Sequence, residues 1–342
     1  MSAGARHTYV IAEAGVNHNG RLATATRLID VAVEAGADAV KFQTFRTESL
    51  VTSEAETPEY QKNVPGGGEH QWKVLKQLEL SFEDFARLRT HCDTRGIEFL
   101  STPFDPESAR FLVEELGVRR VKIPSGEVAN LPFLRDLAAF GRPLILSTGM
   151  SDLAEVEQAV GAIRGAAATV PLTLLHCTTN YPCPFEDVNL RAMVTLRERF
   201  GLPVGYSDHT MGIEVAVAAT ALGAEVIEKH FTLDRTLPGP DHRCSLEPDE
   251  LAQMVRSIRN IERALGDGEK RPTPAELQIR QQVRRSLVLT RALVAGARLA
   301  ATDVMAKRPA GGIEPGAVDR VLGRRLRVGK AADEILRWDD LD

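Results

Sequence analysis

The sequence predicts an α/β protein, a (β/α)8 TIM barrel followed by a small β-rich domain. Two observations predict the barrel. A short apolar run followed by an amphipathic helical segment recurs eight times, and the helical segments end at glycine, which readily takes the left-handed conformation that closes a helix. Strands that alternate with helices pair in parallel with the helices outside, and eight units over about 265 residues suit a closed barrel. A change of composition after Gly266 predicts the second domain.

The eight apolar runs are the predicted strands, because each is short and is followed by polar residues. They are 9–12, 39–42, 98–101, 120–123, 144–146, 172–175, 203–206 and 225–228. A doubly wound open sheet is the alternative. That fold needs a reversal of strand order, of which the sequence shows no sign. The segment EAGVNHNG (13–20) after the first run is also not a dinucleotide-binding fingerprint.

The segments between the runs are the predicted helices. Apolar residues recur at helical spacing, as at Leu28 and Val31 or at Phe85 and Leu88. Predicted starts are a capping box of Ser81 with Asp84 and an N-cap at Ser151 or Asp152. The predicted ends are Gly36, Gly96, Gly117, Gly141, Gly165, Gly201, Gly223 and Gly266.

These patterns divide the chain into a barrel (1–266), a polar, proline-containing linker (267–284) and a β-rich domain (285–342). With 43% hydrophobic residues, no apolar signal segment and no apolar run long enough for a bilayer, we expect a cytoplasmic protein that does not bind membranes. A formal net charge of -5 argues against nucleic acid as a partner. The four cysteines lack a Cys-x-x-Cys spacing, so we expect reduced thiols.

Polar residues follow almost every predicted strand, and the carboxyl ends of barrel strands form the active site in this fold. Lys41 and Lys122 lie within strands at positions that can face the interior, where an ammonium group needs a counter-charge. An anionic substrate would supply it, and ion pairing with Glu13 or Glu127 alone is the alternative. Because no Walker motif is present, a small phosphorylated metabolite is the more plausible anion. The other candidates are Gln43, Thr102, Ser125, Ser147, Asn180, Tyr181, Ser207 and Asp208.

Two histidines end consecutive apolar runs, which predicts a metal site. Strand alternation places Glu228 and His230 on one face and Lys229 on the other. His209 ends the preceding run, so the two imidazoles with an acidic group can bind a divalent ion that acts as a Lewis acid on a carbonyl. Asp241 could reach the metal or its water. The alternatives are two hydrogen-bonded core histidines and an ordinary turn aspartate.

Nine segments, taken in order, closely resemble the sialic acid synthase family, which includes N-acetylneuraminate, legionaminate and pseudaminate synthases. They are IAEAGVNHNG (11–20), VKFQTF (40–45), FLSTPF (99–104), KIPSGE (122–127), LSTGM (146–150), HCTTNYP (176–182), GYSDH (205–209), IEKHFT (227–232) and KRP (307–309).

The resemblance implies a barrel joined to a C-terminal SAF (antifreeze-like, β-clip) domain in a domain-swapped homodimer. It implies condensation of phosphoenolpyruvate with an N-acylated amino sugar to give a nine-carbon 2-keto acid and phosphate. We take N-acetylmannosamine as the first choice of acceptor, which makes an N-acetylneuraminate synthase. The alternative is a legionaminate synthase that uses 2,4-diacetamido-6-deoxymannose. A non-catalytic carbohydrate-binding or ice-binding protein is a third possibility, against which the metal and phosphate sites argue.

The resemblance also implies roles for single residues. His209 and His230 hold a divalent ion, usually Mn²⁺, with Mg²⁺ or Co²⁺ as alternatives. As a hypothesis, Glu13, supported by Glu127, stabilises charge at C2 of phosphoenolpyruvate and positions the water that adds there. Arg308 of the partner subunit holds the sugar's N-acyl group. The phosphoenolpyruvate contacts are Lys41, Lys122, Thr102, Ser125, Ser147 and Ser207.

Departures from the family pattern concern sugar specificity. Ala310 stands where a glycine is usual after KRP, the loop 64–71 is glycine-rich, and Thr179 and Asn180 occupy variable positions.

Overall fold

The computed structural model describes residues 7–55 and 71–342. The chain forms two compact units, Met1–Asp267 and Gly268–Asp342. Within the described residues, no helix is both long and apolar enough to cross a lipid bilayer.

All eight predicted strands are present in the first unit, and all are parallel. They form one sheet in the order β3-β2-β1-β8-β7-β6-β5-β4, and β3 and β4 at the ends of this order lie against each other. The sheet is therefore a nearly closed barrel, which confirms the predicted fold. The strands are β1 (Tyr9–Gly15), β2 (Ala39–Thr44), β3 (Glu98–Pro103), β4 (Val121–Ile123), β5 (Leu144–Ser147), β6 (Leu172–Cys177), β7 (Val204–Asp208) and β8 (Val226–His230).

Helices of the first unit follow the strands and bury the apolar face that their periodicity predicts, as at Leu28 and Leu88. The capping box of Ser81 with Asp84 and the N-cap at Asp152 are both present. The predicted helix end at Gly165 was wrong, because the helix that contains this residue continues to Ala166. The α-helices are Leu22–Ala35, Thr47–Leu50, Gln71–Leu78, Phe82–Arg95, Pro106–Arg110, Leu131–Ala139, Leu153–Ala166, Arg191–Phe200, Glu214–Ala221 and Pro248–Leu265, and Phe111–Glu115 is a π-helical turn.

An apolar plug fills the amino-terminal half of the barrel interior. Its members come from six strands, and each lies two residues before a side chain that lines the cavity described below. Because residues two apart on a strand face the same side, the plug forms the floor beneath those side chains. The plug consists of Ile11, Ala39, Leu100, Ile145, Leu175 and Val226.

The second unit begins with the helix Pro274–Val283, which lies in the predicted linker and starts with a capping box at Thr273. Strands β9 (Ser286–Leu289) and β10 (Val304–Lys307) pair in antiparallel fashion. The α-helix Val318–Val321 and short 3₁₀ turns complete a unit with its own small core. The core residues are Leu287, Leu289, Leu299, Ile313, Ala317, Val321, Leu326, Leu336 and Leu341.

Candidate active site

A cavity of about 290 Å³ opens at the carboxyl ends of the barrel strands. Its polar lining follows strand alternation, since the lining residues of one strand are two positions apart. The polar lining consists of Glu13 from β1, Lys41 and Gln43 from β2, Thr102 from β3, Lys122 from β4, Ser147 from β5, Ser207 from β7 and Glu228 and His230 from β8. Ser125, Thr179, Tyr181, His209 and Asp241 follow the strand ends, and Gln71 begins the helix Gln71–Leu78.

Two lysines and two glutamates form a buried charge network in this cavity. The Lys41 Nζ donates hydrogen bonds to the Glu13 Oε1 at 2.8 Å and to the Thr102 Oγ1 at 3.0 Å. Glu228 stands between the lysines, with its Oε2 3.7 Å from the Lys41 Nζ and its Oε1 3.3 Å from the Lys122 Nζ. The Ser207 hydroxyl donates to the same Oε1 at 2.9 Å. No side chain of the four is more than 5% exposed, so these charges depend on one another for neutralisation.

The two carboxyl groups have different proton affinities. Burial raises the pKa of Glu13 to about 7; Lys41 partly offsets this, while the charge of Glu228 adds to the increase. Burial also opposes charge on Glu228, but Lys122 and Lys41 outweigh it and lower the pKa to about 2. Glu228 is therefore the fixed counter-ion of the lysines. Glu13 can accept or release a proton near neutral pH.

Several polar atoms that face the cavity have no hydrogen-bond partner among the described residues. They are the Glu13 Oε2, the Glu228 Oε2, the Ser147 Oγ and the Thr179 Oγ1, and all four are buried. Buried polar atoms are normally hydrogen-bonded, so a group of unpaired ones around two ammonium groups indicates a binding site for a polar ligand.

His209 and His230 meet at the carboxyl ends of β7 and β8, with their ring centroids 5.6 Å apart. The His209 Nδ1 lies 2.8 Å from the Thr178 carbonyl oxygen, so it donates there and its Nε2 keeps a lone pair. The His230 Nδ1 is buried without a hydrogen bond, 3.8 Å from the Asp241 Oδ2. Burial lowers the pKa of His209 to about 4 and that of His230 well below its usual value.

Both rings are thus neutral at physiological pH, as metal ligands must be. Within 7–55 and 71–342, no group of three or more His, Cys, Asp or Glu side chains is arranged to hold a metal ion. The two imidazoles therefore fit a divalent ion only if substrate or water oxygens supply most of the coordination, which is the arrangement expected of a catalytic site with open positions.

Three predicted site residues of the first unit do not line the cavity. Asp208 faces away from it and forms a fully buried ion pair with Lys229 at 2.8 Å, because strand alternation turns it opposite to Ser207 and His209. Glu127 lies in the 3₁₀ turn Ser125–Glu127, where its Oε2 accepts a hydrogen bond from the Asn130 amide at 2.7 Å. The second carboxylate that contacts Lys41, besides Glu13, is that of Glu228 and not that of Glu127. Asn180 is exposed.

Three other expectations concern Arg308, the loop 64–71 and Ala310. Arg308 is exposed on the second unit, so the role implied for it stays a prediction. The glycine-rich loop 64–71 falls, except for Gln71, outside the described residues. Ala310 donates its backbone N–H to the Gln281 carbonyl oxygen at 3.0 Å, within the second unit.

Sequence reasoning assigned no role to Glu228, Cys177 or the apolar part of the lining. Strand alternation places Glu228 on the same face as His230, so its position in the cavity could have been predicted from the sequence. Cys177 is buried, and its Sγ lies 3.1 Å from the Ser125 Oγ. The apolar lining consists of Val16, Phe45, Leu50, Val51, Val74, Leu75, Leu78 and Phe104, together with Pro124, Met150 and Pro240.

Comparisons with known proteins agree with this geometry. The NeuB family profile matches residues 28–270, and the SAF domain profile matches 284–342. The N,N'-diacetyllegionaminic acid synthase of Legionella pneumophila is 50% identical over 98% of this chain and 94% of its own length. The enzyme of the same name from Campylobacter jejuni is 45% identical over 97% and 99%.

A solved structure of the N-acetylneuraminic acid (sialic acid) synthetase from Leptospira borgpetersenii serovar Hardjo-bovis, in complex with citrate, is 38% identical. It covers 81% of this chain and 92% of its own, with a TM-score of 0.70.

Proposed function

Because the chain belongs to the NeuB family of phosphoenolpyruvate-dependent condensing enzymes and carries a C-terminal SAF domain, we propose that it is an N,N'-diacetyllegionaminic acid synthase. Its acceptor would be 2,4-diacetamido-6-deoxymannose. Relatives with that name are 50% and 45% identical, against 38% for the sialic acid synthetase. These identities favour the alternative acceptor over N-acetylmannosamine, the first choice from the sequence.

The observation that carries the proposal is the pair of buried lysines beside buried hydroxyl and carboxylate oxygens that lack a hydrogen bond. Phosphoenolpyruvate presents a phosphate and a carboxylate, and Lys41 and Lys122 provide the cationic groups that such a ligand needs. The hydroxyls of Thr102, Ser125 and Ser147 can donate to its oxygens. The apolar plug below prevents deeper entry, so the enol carbon would face the open side of the cavity.

The reaction forms a bond between C3 of phosphoenolpyruvate and the aldehyde carbon of the open-chain sugar. Positive charge develops at C2, water adds there, and cleavage of the bond between C2 and its bridging oxygen releases phosphate. Glu13 has an unpaired Oε2 and a pKa raised to about 7 by burial, so it suits removal of a proton from that water. Glu228 stays charged and balances the lysines throughout.

We further propose that His209 and His230 hold a divalent ion, Mn²⁺ with Mg²⁺ or Co²⁺ as alternatives. When bound, the ion would polarise the carbonyl oxygen of the acceptor. The buried, unpaired Nδ1 of His230 and the correctly oriented ring of His209 support this assignment. Tyr181 packs on His209 with ring centroids 4.1 Å apart and so restricts the orientation of that ring.

The proposed assembly is a homodimer in which the SAF domain of one subunit covers the site of the other, where Arg308 would hold the N-acyl group. The exposure of Arg308 on its own unit is compatible with such a role. The four cysteines are unpaired, which supports the predicted cytoplasmic location.

The test is phosphate release from phosphoenolpyruvate with Mn²⁺, run in parallel with the two acceptors and with a chelated control. The proposal requires metal-dependent release that is faster with 2,4-diacetamido-6-deoxymannose. Release confined to N-acetylmannosamine would instead indicate an N-acetylneuraminate synthase. No release with either sugar would contradict both assignments.

A further inference from the structure

The cavity changes character from its floor to its mouth on the side of β1, β2 and β3. The charged and hydroxyl-bearing side chains lie deep. The lining residues just beyond these strand ends and on the helix Gln71–Leu78 are apolar, apart from Gln71 at the start of that helix. We refer to this set as the apolar wall: Val16, Phe45, Leu50, Val51, Val74, Leu75, Leu78 and Phe104.

Register along the strands fixes the depth of the wall. Inward-facing residues of the β2 segment run Lys41, Gln43, Phe45, and those of the β3 segment run Thr102, Phe104. The ladder continues to this level, because the Phe104 N–H donates to the Thr44 carbonyl oxygen at 3.1 Å. Two residues of strand rise about 7 Å, so both phenyl rings begin roughly one monosaccharide length above the level of Gln43 and Thr102, which pair in register.

Specific contacts hold the side chains and segments of the apolar wall in place. The Phe45 and Phe104 rings meet edge to face with centroids 6.2 Å apart. Glu79, directly after the helix Gln71–Leu78, accepts hydrogen bonds from the Thr47 backbone N–H at 3.0 Å and the Thr47 hydroxyl at 2.8 Å. These bonds tie the helix to the segment that follows β2.

The loop after β1 contacts the same carboxyl-terminal end of that helix. Gly20 has a φ of +69°, and a Cβ at this position would lie 2.1 Å from the Gln77 carbonyl oxygen. The helix thus rests directly on the backbone of this loop. Val74 and Leu75 are only partly buried, and both line the cavity.

A sugar whose aldehyde reacts at the floor must place its far end towards the mouth. We propose that the apolar wall receives C6 of the acceptor and selects a 6-deoxy sugar, whose methyl group needs no hydrogen-bond partner, over a sugar with a 6-hydroxyl. This inference rests on the proposed function and names the determinant of its acceptor. An apolar pocket discriminates against an added hydroxyl by about 10- to 100-fold in kcat/KM, because that group loses its hydrogen bonds with water.

The experiment compares kcat/KM for 2,4-diacetamido-6-deoxymannose and for its 6-hydroxy counterpart, 2,4-diacetamidomannose. We expect the wild-type enzyme to prefer the 6-deoxy sugar by about 10- to 100-fold. Leu75→Gln should bring the ratio to within a few-fold of one, whereas the apolar control Leu75→Met should keep the preference. The KM for phosphoenolpyruvate should stay the same in both variants, since its proposed site is at the floor.

Val74→Thr replaces one methyl group by a hydroxyl of the same shape and serves as a second variant with little risk to folding. Equal use of the two sugars by the wild type would overturn the inference, and so would an unchanged ratio in both polar variants. If N-acetylmannosamine proves to be the acceptor, the proposed function fails and the wall is tested with that sugar and its 6-deoxy analogue. Preference for the deoxy analogue there would still support the wall's role, and preference for the 6-hydroxyl would refute it.

Discussion

Replacement of Glu228 by glutamine tests the buried charge network. This change keeps the shape of the side chain and removes the only charge that lies between Lys41 and Lys122 among the described residues. At an effective dielectric constant of about 20, unit charges separated by 3.7 Å and 3.3 Å attract each other by roughly 4 to 5 kcal/mol per pair. Desolvation of the carboxylate offsets several kcal/mol of that sum.

Removal of one partner from a buried ion pair costs about 3–5 kcal/mol, because it leaves a buried charge without compensation. We therefore expect Glu228→Gln to lower the free energy of unfolding by about this amount and the melting temperature by about 5–15 °C. Calorimetry of the ligand-free protein measures the change. Phosphoenolpyruvate should then stabilise the variant more than the wild type, since a bound anion takes over the neutralisation of the lysines.

The control is Glu198→Gln on the exposed face of the helix Arg191–Phe200, for which we expect a change within about 0.5 kcal/mol. If Glu228→Gln had the same melting temperature as this control, other groups would have to neutralise the lysines. The argument that Glu228 is their fixed counter-ion would then be refuted.

Three further predictions follow from the site. Glu13→Gln should lose most turnover and still bind Mn²⁺, and near-normal turnover would remove Glu13 from its assigned role. Chelation should abolish activity. His230→Ala should weaken Mn²⁺ binding, which calorimetry measures in the absence of substrates. A metal affinity equal to that of the wild type would contradict the ligand assignment. Mixing inactive Glu13→Gln and Arg308→Ala subunits should restore about a quarter of wild-type activity if each site combines Glu13 of one subunit with Arg308 of the other. No recovery on mixing would argue against the exchanged arrangement.

Strand alternation explains why most of the site could be predicted from the sequence. Strands of a parallel barrel are buried on both faces, so the eight apolar runs stand out, and their polar ends mark the active-site edge. The positions of Lys41, Thr102 and Lys122 in the cavity follow from this pattern alone. Applied consistently, the same alternation excludes Asp208, because it lies between two inward-facing residues, Ser207 and His209.

The errors lie where alternation ends. Glu127 follows its strand through a 3₁₀ turn, in which successive side chains no longer alternate, so its direction could not be read from the sequence. Asn180 belongs to a segment beyond β6 that has no regular structure. The apolar wall could not be predicted, since Val74 and Leu75 belong to a separate helix whose placement over the barrel depends on tertiary contacts such as those of Glu79.

The central claim is that the cavity joins phosphoenolpyruvate to an aldehyde by addition of water at C2 and cleavage of the C2–oxygen bond. Phosphoenolpyruvate labelled with ¹⁸O at the bridging oxygen, incubated with Mn²⁺ and 2,4-diacetamido-6-deoxymannose, tests it directly by mass spectrometry of both products. We predict that the label leaves with inorganic phosphate, and that the 2-keto acid gains its C2 oxygen from solvent. Label retained in the keto acid would mean cleavage between phosphorus and oxygen, and would contradict the role given to Glu13 and its water.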